Sequence, residues 1–175
     1  KKISIRSDDD RFPESKAADF SFEKITENNF QRLSELFTGV VSVTQSSRAA
    51  NLISFANNQG DICIRLATKT FEYELVLSNI AEKKSEIDRN ILVQFVQQNE
   101  PAKYTILRSY LDNMPEEISQ TDRINIALLI CNSLPSKAAF AQDFGSFLSQ
   151  IIETQNGIAF SIPNYIVEAL NHLKN

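Results

Sequence analysis

The stretch Ile124–Cys131 limits the possible folds of this chain more than any other. It contains the longest uninterrupted apolar run, residues 126–131. In a helix over 122–134, apolar side chains would lie on nearly every side, and such a helix is buried all round. The run is far shorter than the roughly 20 apolar residues that cross a membrane. We therefore predict a central core helix in a helical C-terminal half, and no membrane span.

Apolar residues recur at helical spacing from Ile80 onward. We predict five helices: one from Ile80 to about Gln98, and four that begin at the capping residues Asn99, Ser119, Ser136 and Ser161. Short connections between them favour antiparallel neighbours. The region 80–175 is therefore predicted to be a helical bundle.

Two surfaces of this bundle differ in character. Phe140, Phe144 and Phe147 share one stripe of the fourth helix, and we interpret them as core residues. The polar face of the first helix is rich in Gln and Asn and includes Gln94 and Gln97. A polar face of this kind is either solvated or available to a partner, so it is a candidate interaction surface.

The clearest β pattern lies in residues 61–78. Apolar residues alternate over 62–66 and again over 71–77, with a loop between the two runs. A register that places Arg65 opposite Glu72 also brings the apolar residues onto one face. We therefore predict an antiparallel β-hairpin with a half-buried apolar face and a charged outer face.

The fold class predicted from these patterns is α+β and predominantly helical, with a small antiparallel sheet packed on the bundle. We expect one domain over 1–175. Residues 1–25 would supply a strand and an irregular aromatic arm, and 26–79 a mixed α/β segment that includes the hairpin 61–78. The first residue is Lys rather than Met, from which we expect a processed chain or a piece of a longer one.

Composition argues against several kinds of chemistry. The net charge is −4 and the basic residues are scattered, so we predict no nucleic-acid partner. His172 is the single histidine and the four glycines stand apart, which disfavours catalytic triads and phosphate-binding loops. No motif indicates a cofactor. Cys63 and Cys131 lie on apolar stretches and are predicted to be reduced, as in the cytoplasm or a host cytosol.

Carboxylates offer the main enzymatic alternative. Asp8, Asp9 and Asp10 could bind a hard cation, but we favour a solvated turn because the spacing of a calcium-binding EF-hand loop is missing. On a strand, Glu72 and Glu74 would point the same way at roughly 7 Å, a spacing suited to acid–base chemistry. The alternative is a salt-bridged outer face. We keep a carboxylate- or metal-dependent hydrolase or transferase as the second hypothesis.

Aromatic residues point to a protein partner. An irregular N-terminal arm carries several, which either fold back on the core as a clasp, the interpretation we favour, or insert into a partner. The second predicted helix presents a cation and two tyrosines, residue types that dominate interface energetics, although surface packing alone would also explain them. The candidate partner-binding residues are Phe12, Phe20, Phe22, Tyr104, Arg108 and Tyr110. The leading hypothesis is a non-enzymatic protein–protein interaction domain, and the composition favours a microbial effector, inhibitor, chaperone or regulatory domain. A self-assembling, capsid-like structural subunit is the third hypothesis.

Overall fold

The computed structural model describes residues 2–8, 47–154 and 160–174. Within these ranges the chain forms two strands and eight helices. In chain order they are β1 (Ile3–Asp8), α1 (Ser47–Gln59), β2 (Ile62–Ala67), α2 (Phe71–Asn79), α3 (Lys84–Ile87), α4 (Ile91–Asn99), α5 (Pro101–Asp112), α6 (Gln120–Ser133), α7 (Lys137–Thr154) and α8 (Asn164–Lys174). The prediction of a predominantly helical chain with a small sheet is confirmed.

The apolar run Ile124–Cys131 forms the middle and later part of α6. Ile126, Ala127 and Ile130 are fully buried there, and α6 packs against α2, α4 and α5. The Ser119 hydroxyl caps the start of the helix by accepting from the Asp122 backbone N–H at 3.1 Å. The prediction of a buried central helix is therefore confirmed. None of the described helices is both long and apolar enough to span a membrane.

The predicted hairpin is wrong. Residues 62–67 do form a strand, but this strand pairs in parallel with β1, with Ile3 opposite Ile62 and Ile5 opposite Ile64. The second half of the predicted hairpin, Phe71–Asn79, is the helix α2. The sheet of the described residues is thus parallel and two-stranded rather than antiparallel.

Local capping explains why α2 is a helix. The Thr70 hydroxyl accepts from the Tyr73 backbone N–H at 3.4 Å, and the Glu74 carboxylate reaches back to the Thr68 N–H at 2.7 Å. The first turn contains two acidic residues, Glu72 and Glu74, and their negative charges are favourable near the positive end of the helix dipole. Leu75 and Val76 are neighbours and both are buried, which a half-buried strand cannot achieve.

The predicted helix from Ile80 to Gln98 is also wrong as a single element, because it divides into α3 and α4. Asn90 causes the break: its side-chain oxygen accepts from the N–H groups of Leu92 at 2.8 Å and Val93 at 3.2 Å. This is a helix N-cap. Upstream of α3, Lys83 forms an antiparallel bridge with Glu117 instead of joining a helix.

Candidate functional site

An open cleft of about 630 Å³ lies between the α3–α4 region and α7. One side is formed by Asp88, Gln94, Gln97 and Gln98. The other side is formed by Phe147, Gln150, Ile151 and Thr154. The two apolar members are each less than a tenth exposed, so they form a mostly covered floor below the polar side chains. The cleft therefore combines amide-bearing walls with a small apolar base.

A cluster of phenylalanines holds the two sides of the cleft together. Phe95 of α4 makes edge-to-face contacts with Phe140, Phe144 and Phe147 of α7, with ring centroids 5.4–5.7 Å apart. Phe140 and Phe144 are stacked on each other at 5.0 Å. Pairs of this geometry are favourable beyond their apolar burial. The prediction that the three phenylalanines of α7 are core residues is confirmed. Their contacts with Phe95 also fix the distance between the two walls of the cleft.

Most of the side chains that line the cleft are uncharged. Among its lining residues, Asp88 is the only one that carries a charge. Each glutamine amide offers two N–H donors and one acceptor oxygen. Gln94 already donates to the backbone oxygens of Asp88 at 3.4 Å and Arg89 at 3.2 Å, which keeps its side chain against the end of α3. The arrangement can form hydrogen bonds with a polar ligand but offers no pair of carboxylates for acid–base chemistry.

Arg108, a predicted partner-binding residue, lies at the edge of this cleft. Its guanidinium donates to both carboxylate oxygens of Asp88, at 2.6 and 2.8 Å, and contacts Asp112 at 3.0 Å. The hydrogen bond to Asp88 raises the pKa of Arg108. Tyr104 lies one turn earlier on α5 and is half-buried against the core. The ion pair thus partners the one charged side chain that lines the cleft, and the other polar side chains of its lining are uncharged.

Tyr110, another candidate, points elsewhere. Its hydroxyl lies 3.4 Å from the Asp122 carboxylate and accepts from the Asn125 side chain at 3.3 Å. Burial raises the pKa of this phenol. The structure therefore joins Tyr104 and Arg108 on one side of α5 and places the hydroxyl of Tyr110 against α6.

The carboxylate candidates do not assemble into a site within the described residues. Glu72 and Glu74 lie two residues apart on a helix, where side chains diverge. Arg65 pairs with Glu168 of α8 at 2.8 Å instead of Glu72. No group of three or more metal-ligating side chains occurs in the part of the chain that the structure describes.

Several other candidates can be placed only in part. Asp8 is the last residue of β1, whereas Asp9, Asp10, Phe12, Phe20 and Phe22 lie outside the described residues. The His172 ring lies 3.3 Å from the backbone oxygen of Asp61, so it links α8 to the start of β2. Cys63 is buried and Cys131 half-buried, and these two cysteines are not joined in a disulfide.

Sequence reasoning identified one wall of the cleft and missed the other. Gln94 and Gln97 belong to the Gln-rich face that the sequence marked as a candidate surface. Gln150 and Thr154 of α7 were not recognised, although their spacing of four residues places them on one helix face. The missing information was which helix α4 packs against, because this depends on tertiary contacts.

Comparison of this chain with known protein families, with curated proteins and with solved structures finds no match.

Proposed function

We propose that this chain is a non-enzymatic protein-binding domain, and that the cleft between α4 and α7 takes an extended segment of the partner. The observation that carries this proposal is the composition of the cleft: amide side chains on both walls above Phe147 and Ile151. An extended peptide presents N–H and C=O groups that glutamine amides can match. Its small apolar side chains would contact the floor. Peptide-binding sites combine backbone hydrogen bonds with side-chain pockets in this way.

The same recognition occurs inside the molecule. The side-chain amide of Asn79 donates to the backbone oxygen of Ser161 and its oxygen accepts from the Ser161 N–H, both at 2.8 Å. One amide side chain thus satisfies both backbone polar groups of one residue in the segment without regular secondary structure just before α8. Gln97, Gln98 and Gln150 carry the same group in the cleft. This internal pairing supports a peptide backbone as their ligand.

The test is selection of peptides from a random display library on the immobilised full chain. Selected peptides are then measured against the double variant Gln97→Ala/Gln150→Ala. Each lost hydrogen bond is worth about 0.5–1.5 kcal/mol net, so we expect affinity to fall by about tenfold or more. The residues are on the surface of their helices, so the variant should keep the fold.

The matched control is Gln120→Ala/Gln142→Ala. These glutamines are exposed on α6 and α7 and do not line the cleft, so the selected peptides should bind this variant as they bind the parent chain. Equal loss in both double variants, or no loss in either, would place peptide binding outside the cleft. Failure to select any peptide would overturn the proposal.

A further inference from the structure

Helix α7 lines the cleft with two parallel rows of side chains. Phe147 and Ile151, four residues apart, belong to the floor, and Gln150 and Thr154 form the adjoining wall with the same separation. Residues four apart lie one above the other on a helix, roughly 6 Å apart along its axis. The cleft therefore presents two apolar and two polar groups along α7 with the same repeat.

An extended peptide has nearly this repeat. Alternate residues of a strand point to the same side and are about 6.5 Å apart, so two of them can lie over Phe147 and Ile151. On the opposite wall, Gln94 and Gln98 of α4 are also four residues apart. The amide-bearing walls favour a strand over a helix as the ligand, because a helix bonds most of its backbone N–H and C=O groups internally.

Asp88 gives the cleft a negative charge. It is the only charged residue among the described ones that line the cleft, and its side chain is 54% exposed. Arg108 donates once to each of its oxygens, and a carboxylate has about four acceptor positions, so a second cation can bind there. Neither Arg108 nor Lys84, whose ammonium donates to the backbone oxygen of Asp112, lines the cleft. A ligand in the cleft therefore meets a carboxylate, which favours a basic side chain over an acidic one.

We propose that the partner segment is a strand that runs along α7, with short apolar residues at two alternate positions and a lysine or arginine beside them that pairs with Asp88. The apolar residues lie over Phe147 and Ile151, and the residue between them points out of the cleft. Short side chains fit best because both floor residues are less than a tenth exposed. The proposed segment presupposes that the cleft binds a peptide, and so rests on the function proposed above.

Disulfide trapping on the full chain tests the spacing. One selected peptide is made as a series in which a single cysteine moves along the sequence, and each member is mildly oxidised with Gln150→Cys or Thr154→Cys. The best-trapped positions for the two variants should differ by two residues, because two residues of a strand span nearly the distance between these side chains. The parent chain, with Cys63 buried and Cys131 half-buried, serves as the blank. A difference of four residues would indicate a helical ligand and would overturn the proposal, as would no difference at all.

Substitution within a selected peptide tests the apolar pair. Serine in place of either apolar residue should weaken binding by about three- to tenfold, because contact with Phe147 or Ile151 is lost. Serine at the position between them should change the affinity little, since that side chain faces solvent. Equal losses at all three positions would contradict the alternation.

Sequencing of the whole selected pool tests the charge. On the parent chain, lysine and arginine should be enriched over aspartate and glutamate beside the apolar pair by about two- to fivefold, as expected for an exposed ion pair. The pool selected on Asp88→Asn should lose this enrichment. The control Glu117→Gln also removes an exposed carboxylate, but one that does not line the cleft, so its pool should keep the enrichment. The same enrichment on Asp88→Asn as on the control would overturn the pairing with Asp88.

Two kinds of failure can be told apart. Peptides that lose affinity for Gln97→Ala/Gln150→Ala but lack the alternating apolar pair, or the preference for basic residues, would overturn the proposed segment and leave peptide binding by the cleft intact. Failure to select any peptide, or peptides that bind that double variant as well as the parent chain, would overturn both proposals.

Discussion

Asparagine side chains in this molecule serve as backbone partners. Asn90 is 7% exposed, caps α4, and donates to the backbone oxygen of Asn79. Asn79 in turn donates to the oxygen of Leu75 and pairs with Ser161. The predicted helix from Ile80 to Gln98 would have placed Asn90 in the interior of a helix. Its actual role follows from local geometry, because Asn competes with the helix for backbone hydrogen bonds and so favours helix ends.

Tyr73 gives a prediction about stability at high pH. The side chain is buried in the core, and burial, followed by the charge of Glu74, raises the pKa of its phenol above the ordinary value of about 10. The folded state therefore holds the neutral phenol, while the unfolded chain loses its proton more easily. The resulting stability is fully present below about pH 10 and is lost as the pH rises above it.

Urea unfolding between about pH 8 and about pH 11 measures this effect. The free energy of unfolding should fall by up to about 1.4 kcal/mol per pH unit above pH 10 for this one group. Tyr73→Phe should show a shallower fall. Tyr110, whose pKa is also raised, is present in both proteins, so the difference isolates Tyr73. Parallel pH profiles would contradict the assignment.

At the scale of elements, the four helices from α5 to α8 were predictable, whereas the division between α3 and α4 and the fold of the supposed hairpin were not. The run from Phe71 to Leu77 alternates as a strand would, but Thr70 and Glu74 also form a helix start. The spacing of apolar residues alone does not distinguish a strand from a helix over so short a run. Burial favours the helix over the strand, because a helix lets Leu75 and Val76 both enter the core. Phe71, which the strand would have buried, is 40% exposed.

The contact of α4 with α7 gives the second prediction. Phe95 is fully buried against three phenylalanines, whereas Phe55 of α1 is 58% exposed. Phe95→Ala should cost about 3–5 kcal/mol because it leaves a cavity at the base of the cleft. The control Phe55→Ala should stay within about 0.5 kcal/mol of the parent chain. Urea denaturation of the two variants compares them directly, and equal costs would contradict the core assignment.

At the scale of the whole molecule, the pairing of distant segments could not be predicted from the sequence. Ile3 and Ile62 are opposite each other in the sheet although they are far apart in the chain. A β-rich run can pair with any compatible strand, and a neighbouring run gave the wrong partner here. For the same reason, the sequence did not predict that α7 forms the second wall of the cleft. Local patterns predicted the helices from α5 to α8 and the buried phenylalanines of α7, while long-range contacts decided which surfaces meet.

The last prediction concerns the attachment of α8. Besides its contacts with the two strands, this helix is tied to α2 through the two hydrogen bonds between Asn79 and Ser161. Asn79→Ala removes both of these bonds and the one to Leu75, at a cost of about 1–3 kcal/mol. Because the loss falls at one junction, α8 should open locally while the core helices stay closed.

Hydrogen exchange resolved by segment distinguishes these cases. In Asn79→Ala, amides of Ile166 to Leu173 should exchange at least about tenfold faster, the factor that corresponds to about 1.4 kcal/mol of local stability. Amides of α6 should change less than those of α8. Asn171→Ala, at an exposed position on α8 itself, should leave exchange at the parent rate. If the amides of α6 and α8 exchanged faster by the same factor, Asn79 would stabilise the whole fold rather than the attachment of α8.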